Sequence, residues 1–403
     1  MIKSACILAL AAILFSFTNP KTTKEMTMNL NPEVKKLTSD LMTPEVLWSF
    51  GRIADPTVSP DGTKVLYSVT NYNIEENKSY RDLFIVSVNG GSPVQITSTP
   101  EKESSAVWRP DGKKIGFLSS KSGDMQLWEM NLDGTEPIQV SEIKGGISGF
   151  KYSPDGTKIM FTADVKMKKD VHDLYPDLPK ANAYLETDLM YKHWDEWVQT
   201  VPHPFVADIK NGKIVNALDL LEGEPYESPM KPFGGVEQLD WSPDSKIIAY
   251  TCRKKTGKEY ALSTNSDIYF YNVETRKTEN KTQGMMGYDQ NPVFSPNGKF
   301  LAWESMERDG YEADKIRLFV VNLETGEKVD YSSGFDQNSS NLAWSSNGKS
   351  IYFISCWQAL TQVLVRYRQN YPSIQPSPAP VHSAKFVHTR LNVIRYNAWQ
   401  QRI

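Results

Sequence analysis

The sequence predicts an all-β protein, a β-propeller of about six blades of which the last is incomplete. Three observations predict this fold: a tight-turn motif that recurs along the chain, a short apolar run after every turn, and a second strand and turn at regular distances. The motif is Ser-Pro-Asp-Gly or a close variant, and its copies begin at Ser59, Arg109, Ser153, Ser242, Ser295 and Ser345. Proline presets φ, Asp or Asn closes the loop with its side chain, and glycine accepts a positive φ, so each copy is typical of a turn between strands.

Runs of β-forming residues follow the turns at 64–69, 114–118, 158–162, 247–251, 300–303 and 350–354. A second strand is expected at 83–88, 127–132, 268–273 and 318–323, with second turns at 89–91, 133–134, 274–275 and 324–326. A unit of about 45–50 residues with several antiparallel strands is typical of a propeller blade. One such unit cannot bury its own faces, so the copies must pack around a common axis.

One interval between turns is unusually long, because Asp155 and Asp244 are 89 residues apart. Asn211-Gly212 is the only matching second turn in that interval, and the segments on both sides of it are longer than elsewhere. We therefore expect one blade with insertions within about 164–235, not two blades. The propeller is predicted over 55–355, after an N-terminal segment at 19–54.

The last 48 residues, 356–403, differ in composition from the rest of the chain, with no Asp, Glu or Gly and six Lys or Arg. The formal charge of −3 therefore combines −9 for residues 1–355 with +6 for 356–403. The sixth unit also loses the repeat pattern near Cys356. The hypothesis that joins the two signals is a shifted reading frame or a gene break there. The alternative, a genuine basic tail, remains open.

The N-terminus predicts a secretory signal peptide at 1–18, since Lys3 precedes an apolar run at 5–17. That run is shorter than the roughly twenty residues of a membrane-spanning helix, so we expect no integral membrane span. A buried N-terminal helix is the alternative. Besides Cys6, the chain contains only Cys252 and Cys356, which excludes a disulfide scaffold. The predicted location is the periplasm or cell envelope of a bacterium.

The charge balance and the motifs exclude several classes of function. With 45 Lys and Arg against 48 Asp and Glu, the sequence gives no electrostatic reason to bind nucleic acid. We expect no cofactor, because there is no phosphate loop and no dinucleotide fingerprint. No metal site is expected either, because the turn aspartates occur once per blade rather than in the close succession of a calcium loop.

These repeats resemble the propeller repeat shared by TolB and the prolyl oligopeptidase family of serine peptidases. The opening segment, 41–48 and 52–62, resembles the start of the propeller in the acylaminoacyl-peptidase and dipeptidyl peptidase V branch. The segment 189–197 is similar to one found in bacterial members of that branch. The resemblance covers about 40–355. It implies a propeller that caps an α/β-hydrolase domain, excludes large folded substrates and helps to admit short peptides.

The sequence departs from that family in its catalytic residues. A nucleophile elbow needs Gly-x-Ser-x-Gly on a strand-to-helix turn, and the nearest string, 145–149, has its serine at the wrong position. We expect no catalytic residue in this chain and no activity from the chain by itself. We therefore interpret the chain as the substrate-gating portion of an exported serine peptidase. The alternative is a stand-alone TolB-like propeller that binds proteins in the periplasm.

The predicted insertion contains the densest cluster of polar and aromatic side chains, formed by Tyr191, His193, Trp194, Asp195, Glu196 and Trp197. As a substrate entrance, its aromatic rings would offer contact surface, and Asp195 or Glu196 would pair with a substrate amine. Alternatively, the two tryptophans pack the insertion onto its own blade, and His193 and Asp195 satisfy each other. Peptides are the expected partners. Self-association through the open faces of an incomplete propeller is also expected.

The reading-frame hypothesis predicts the DNA downstream of codon 355. Translation in the other two frames is expected to give a second turn, one or two further blades and a Gly-x-Ser-x-Gly string. Sequencing of the locus checks this, and two frames without any of these features would remove the main support for the peptidase interpretation.

Overall fold

The computed structural model describes residues 41–357, 360–367 and 375–376, and from Thr43 onward they belong to one compact unit. Six sheets of four antiparallel strands follow one another along the chain, with one additional two-stranded ribbon. Each sheet is built from its own stretch of chain, so none of the described sheets combines strands from the two ends. The predicted signal peptide at 1–18 lies outside the described residues.

The first three sheets contain twelve strands, and the two-stranded ribbon lies within the third. After helix α1 (Pro44–Ser49), the first sheet comprises β1 (Arg52–Val58), β2 (Lys64–Asn73), β3 (Lys78–Ser87) and β4 (Val94–Gln95). The second comprises β5 (Glu103–Trp108), β6 (Lys114–Ser119), β7 (Gln126–Asn131) and β8 (Ile138–Gln139). The third comprises β9 (Gly149–Tyr152), β10 (Lys158–Lys166), β13 (Thr200–Lys210) and β14 (Lys213–Asp219), with α2 (Val171–Leu174) and the ribbon β11 (Lys192–His193) and β12 (Glu196–Trp197) between β10 and β13.

The last three sheets repeat the pattern. A 3-10 helix (Val236–Gln238) precedes the fourth, which comprises β15 (Leu239–Trp241), β16 (Ile247–Cys252), β17 (Asp267–Asn272) and β18 (Thr278–Asn280), with α3 (Gly257–Leu262) between β16 and β17. The fifth comprises β19 (Asp289–Phe294), β20 (Phe300–Ser305), β21 (Arg317–Asn322) and β22 (Lys328–Asp330). The sixth comprises β23 (Ser340–Trp344), β24 (Ser350–Trp357), β25 (Leu360–Tyr367) and β26 (Gln375–Pro376).

The six predicted turns connect the first and second strands of the six sheets. In each, the residue at the glycine position has a positive φ, and it is Ser245 in the fourth sheet. The first residue of the motif closes the turn, as where the Ser59 hydroxyl donates to Asp61 Oδ1 at 2.6 Å. Turns of neighbouring sheets also touch, since the Asp155 backbone N–H donates to Ser245 Oγ at 3.1 Å. They therefore gather at one end of the sheets, here called the turn end.

The opposite end carries the longer connections. In a four-stranded antiparallel sheet, the link between the second and third strands and the link to the next sheet both lie opposite the first turn. This end, here called the insertion end, holds residues 167–199, 220–238 and 253–266. Its loops bond across sheets, since the Ser263 hydroxyl donates to Asp309 Oδ1 at 2.7 Å. Among the described residues, the long connections thus lie at one end of the propeller.

Five apolar clusters form the core, one between each pair of consecutive sheets. Among the described residues, no such cluster joins the sixth sheet to the first. In every sheet after the first, the residue before the turn motif is aromatic and packs toward the preceding sheet: Trp108, Tyr152, Trp241, Phe294 and Trp344. Trp344 Nε1 donates to the carbonyl of Val293 at 3.0 Å, and Trp108 Nε1 to that of Thr57 at 3.2 Å.

A hydroxyl fixes the outer strand in four sheets. The side chains of Thr97, Ser141, Thr282 and Ser332 accept from the backbone N–H of Leu83, Leu127, Ile268 and Leu318 at 2.8–3.1 Å. Each hydroxyl comes fourteen residues after its donor. This repeat explains why a serine or threonine stands two residues after the end of each of these short fourth strands.

Buried carboxyl groups accompany two of these hydroxyls. Asp82 and Glu103 flank Thr97 between the first and second sheets, and Asp267 and Asp289 flank Thr282 between the fourth and fifth. Burial raises the pKa of Asp82 to about 6, of Glu103 to about 7 and of Asp289 to about 7. Asp289 Oδ1 accepts from Trp303 Nε1 at 2.9 Å.

The structure confirms an all-β propeller with six blades. It also confirms that 155–244 holds one blade, since Asn211 and Gly212 connect β13 to β14 and the insertion lies between β10 and β13. The last blade differs from the expected incomplete unit, because β25 pairs with β24 along its full length and β26 adds a fourth strand. The apolar run at 363–365 favours a strand here, and Leu364 reaches the core between the fifth and sixth sheets.

Asp289→Asn tests the buried carboxyl groups. A folded-state pKa raised above the unfolded value means that the folded chain holds the proton longer. The free energy of unfolding of the parent chain therefore falls as pH rises from about 4 to about 7, because Asp289 resists losing its proton in the folded chain. Above about pH 7 the buried carboxylate is charged and remains destabilising. The amide retains an acceptor for Trp303, so the free energy of unfolding of the variant relative to the parent is expected to increase by about 2–3 kcal/mol between pH 5 and pH 8.

Urea unfolding at the two pH values measures this difference. Asp133→Asn is the control, because Asp133 lies in an exposed turn and its pKa is lowered by the Thr135 hydrogen bonds, outside the tested range. An Asp289 variant whose relative stability is the same at both pH values would contradict the assignment.

Candidate functional site

The ribbon formed by β11 and β12 stands at the insertion end of the third blade. Lys192 pairs with Trp197 and His193 with Glu196, which leaves Trp194 and Asp195 as a two-residue turn. Such turns favour Asn or Gly at their first position, because that residue needs a positive φ. Here the position is Trp194, with φ at +55°. A bulky side chain in this conformation is unusual.

The base of the ribbon is anchored by a buried carboxylate. His193 Nε2 lies 3.3 Å from Glu227 Oε2, and the side chains are 11% and 4% exposed. The Tyr260 hydroxyl, from α3 of the fourth blade, donates to Glu227 Oε1. The Lys231 backbone N–H donates to the same oxygen at 3.2 Å. Glu227 thus connects the insertion to the next blade.

Aromatic rings and a guanidinium surround this anchor. Arg253 is buried, with its Cζ atom 4.5 Å from the ring centroid of Tyr260 and 5.2 Å from that of Tyr288. Its Nη2 donates to the Tyr288 hydroxyl at 2.8 Å. Burial, with the adjacent Glu227 carboxylate, raises the pKa of Tyr260, so this phenol stays protonated and keeps donating.

Above the anchor, two exposed aromatic side chains meet. The Trp194 and Phe233 rings are 4.9 Å apart with an interplanar angle of 74°, an edge-to-face arrangement. Trp194 is 72% exposed and Phe233 is 79% exposed. Phe233 comes from the connection 220–238 that leads to the fourth blade. Together they form an apolar projection, here called the aromatic tip.

A second aromatic contact lies on the other strand of the ribbon. Trp197 stacks on Tyr184, with centroids 4.3 Å apart and planes inclined by 11°. The Tyr191 ring lies 6.0 Å from that of Trp197, and Lys192 Nζ lies 4.4 Å from the Trp197 centroid. These contacts pack Trp197 against Tyr184 and Tyr191 of the insertion itself. The alternative, in which both tryptophans pack the insertion onto its own blade, remains a prediction.

The six predicted entrance residues thus divide into two groups. His193 lies at the base, while Tyr191, Trp194, Asp195, Glu196 and Trp197 are exposed. The partner of His193 is Glu227, not Asp195. In the described part of the chain, neither Asp195 nor Glu196 enters an ion pair, and both residues are exposed.

Sequence reasoning missed Glu227, Tyr260 and Phe233. All three are distant from the ribbon in sequence, and they reach it only because the third and fourth blades pack side by side. Phe233 did carry a local signal, since it stands in a Pro-Phe-Gly-Gly string where a large apolar residue has no strand to belong to.

The expected absence of a catalytic triad remains a prediction. Ser148 lies just before β9, and its hydroxyl is 2.8 Å from that of Thr162. His203 and Asp219 form a pair in the third sheet at 2.8 Å, with the His203 side chain fully buried. Within the described residues, no group of three or more His, Cys, Asp or Glu is placed to hold a metal ion. In the same residues, no helix has the length and apolar character needed to cross a membrane.

Comparison with known proteins gives a family match and close relatives. Residues 33–186 match the family model described as TolB beta propeller domain. The chain is 49% identical to dipeptidyl-peptidase 5 of Porphyromonas gingivalis over 83% of this chain and 49% of that protein. It is 48% identical to dipeptidyl-peptidase 5 of Porphyromonas endodontalis over 82% of this chain and 48% of that protein. The chain therefore spans about half the length of the curated relatives it matches.

A solved structure supports the fold. An acylaminoacyl peptidase in complex with Z-Gly-Gly-Phe-chloromethyl ketone superposes with a TM-score of 0.60 at 15% identity, over 82% of this chain and 46% of that one. At this sequence identity the likeness supports the propeller fold and carries no information about activity.

Glu227→Ala tests the anchor of the ribbon. It leaves the Tyr260 hydroxyl and the His193 ring without their buried acceptor, which costs about 1–3 kcal/mol for each group. Hydrogen exchange of the backbone amides in 192–197 is expected to accelerate at least tenfold, while exchange in 59–63 stays unchanged. Glu224→Ala is the control, because Glu224 pairs with Lys254 at a partly exposed position. Equal acceleration in both variants would contradict the anchor.

Proposed function

From its homology to dipeptidyl-peptidase 5 and its TolB-type propeller, we propose that the chain is the substrate-gating propeller of a serine peptidase that cleaves short peptides. The observation that carries the proposal is the 49% identity over 83% of the chain. The α/β-hydrolase domain with its Ser, Asp and His would supply the chemistry, and no residue of the described propeller is assigned to it. On this proposal the chain is inactive without such a domain.

The insertion end is the side of the propeller that we assign to the peptidase domain and its substrates. Exposed large apolar side chains occur there in several connections, at Ile74, Leu262, Met286 and Tyr311 and along the insertion. Within the described residues, none of the exposed large apolar side chains lies in a turn of the turn end. An exposed apolar surface of this kind marks a site of protein or ligand contact.

The predicted entrance residues take two roles in this proposal. Tyr191, Trp194 and Trp197 offer aromatic surface to a passing peptide, and Asp195 or Glu196 pairs with its amino group. His193 holds the ribbon through Glu227 and does not contact substrate. The ribbon is therefore a gating element with a fixed base and an exposed tip.

Export to the periplasm or cell envelope of a bacterium is part of the proposal. It is supported by the predicted signal peptide and by the scarcity of cysteine in the chain.

A second candidate function is a stand-alone propeller that binds proteins in the periplasm. The match of residues 33–186 to the TolB propeller family supports it, since that family model describes a propeller domain. On either function, self-association is proposed through the outer faces of the first and sixth blades. The half-buried side chain of Tyr67 lies on one of these faces and those of Tyr352 and Ile354 on the other, all outside the five core clusters.

A chimera tests the peptidase proposal. Residues 41–355 are joined to the part of the Porphyromonas gingivalis relative that this chain does not match. Hydrolysis of fluorogenic dipeptidyl substrates is expected from the chimera and not from the chain alone. A second chimera, with 167–199 replaced by a short glycine-containing turn, is expected to hydrolyse longer peptides that the first chimera excludes. A folded chimera without activity, or serine-dependent hydrolysis by the chain alone, would contradict the proposal.

A further inference from the structure

Two buried carboxyl groups face one hydroxyl where the first blade meets the second. Asp82 belongs to β3 and Glu103 begins β5, and each residue is only 2% exposed. Thr97 Oγ1 lies 3.5 Å from Asp82 Oδ1 and 3.4 Å from Glu103 Oε2. The same oxygen accepts from the Leu83 backbone N–H at 2.9 Å. Asp82, Thr97 and Glu103 are here called the acid latch.

The number of protons on the hydroxyl limits the charge that the acid latch can hold. A hydroxyl carries one proton, so Thr97 can donate to only one of the two carboxyl groups at a time. If both groups are ionised, one of them loses this donor and the two buried charges repel each other. If one group keeps its proton, that group can itself donate a hydrogen bond and the repulsion disappears. The Thr99 hydroxyl, which donates to Glu103 Oε1, serves that oxygen alone.

The neighbouring strands supply no charge that would stabilise the ionised pair. Asp82 stands opposite Val69 of β2, and Glu103 stands opposite Ser119 of β6. Neither of these side chains titrates between pH 4 and pH 9. The acid latch is therefore flanked on both sheets by neutral groups.

The charged residues nearest in sequence do not neutralise the acid latch either. Arg81 donates from Nε to Thr70 Oγ1 at 2.9 Å, and its Nη1 lies 3.7 Å from Asp55 Oδ2. The connection into β5 contributes Glu101 and the exposed Lys102. Among the residues that the structure describes, no cation forms an ion pair with either carboxyl group of the latch. Two acids therefore share this place without a counter-ion.

The acid latch lies beside the backbone contact between the two sheets. Arg81 and Lys102 form a parallel bridge between the blades, and each directly precedes one acid of the latch. Toward the turn end, the same junction is an apolar core that includes Leu66, Trp108 and Phe117. A change of charge in the latch therefore acts on the polar part of the junction, near the insertion end, and leaves the apolar part in contact.

We propose that the acid latch holds the two blades together near the insertion end while it retains one proton, and that loss of this proton separates them there. A rise in pH then parts residues 81–83 from 99–104 and opens a lateral gap in the wall of the propeller, while the apolar core of the junction stays packed. The proposal concerns the propeller itself and does not depend on the proposed function.

The direction of the pH dependence follows from burial. Burial raises the pKa of Asp82 to about 6 and that of Glu103 to about 7, and the Asp82 charge adds to the shift of Glu103. A pKa raised in the folded state gives a stabilising contribution that is complete below the unfolded value, near 4, and is lost as pH rises through the folded value. The junction is therefore closed in acid and open above about pH 7.

The junction between the fourth and fifth blades provides a comparison within the same chain. Asp267 and Asp289 flank Thr282 there, and the Thr282 hydroxyl donates to Asp267 Oδ1 at 2.9 Å. This junction has an additional connection, because Asp309 Oδ1 of the fifth blade accepts from the Ser263 hydroxyl of the fourth at 2.7 Å. We expect the added hydrogen bonds to keep this junction closed when its acids ionise.

Hydrogen exchange of the full chain, expressed as protection factors corrected for the intrinsic pH dependence of exchange, tests the proposal at pH 5 and pH 8. Protection in 81–83 and 99–104 is expected to fall at least tenfold from pH 5 to pH 8. Protection in 64–67, within the apolar core, and in 263–268, at the comparison junction, is expected to change less than threefold.

Two nearly isosteric variants and one control identify the groups responsible. Asp82→Asn and Glu103→Gln each leave a single acid facing Thr97, and in each the loss of protection in 81–83 and 99–104 is expected to stay below threefold. Asp133→Asn alters an exposed turn carboxyl group of the second blade and is expected to retain the tenfold loss.

Four results would contradict the account. Unchanged protection in the parent chain, or the same tenfold loss in both latch variants, would overturn the acid latch. A parallel loss in 64–67 would overturn the local opening, because the whole blade would then unfold. A loss in 263–268 as large as that in 81–83 would overturn the role given to Asp309.

Discussion

The packing of one sheet against the next is the interaction on which the rest of the structure depends. Each four-stranded sheet has two faces of apolar side chains and cannot bury either face by itself. The aromatic residue before each turn motif makes this packing specific, because its ring enters the preceding blade and, where it is Trp108, Trp241 or Trp344, donates to a backbone carbonyl there. The first blade has Val58 in this position, and no described cluster packs against its outer face. The ring therefore begins and ends on apolar surfaces.

This packing explains why much of the fold could be predicted and some of it could not. The turns are local: proline, Asp or Asn and glycine within four residues determine them, and all six appear as expected. The completion of the sixth blade could not be predicted, because loss of the repeat motif at 356 does not prevent Leu360–Tyr367 from pairing with its neighbour. An extended apolar run is enough for strand pairing, whereas the Ser-Pro-Asp-Gly motif indicates only where a turn lies.

The candidate site shows the same limit more strongly. The ribbon residues were visible as a dense cluster within 191–197, but their partners were not. Glu227 and Tyr260 are distant in sequence, and only the neighbouring positions of two blades bring them to His193. The exposed tip depends on Phe233, which a reading by strands and turns treats as part of a loop. Burial of the anchor and exposure of the tip are properties of the packed molecule.

The difference between the two ends is the structural basis of the proposed function. One end is a ring of polar turns, and the other carries the insertion, the anchor, the exposed apolar side chains and the aromatic tip. Hydrogen exchange compared between the chain alone and a catalytically competent fusion to a peptidase domain tests this claim most directly. The account predicts slower exchange in 167–199, 220–238 and 253–266 on fusion, with the six turns unchanged. Slower exchange confined to the turn end would contradict it.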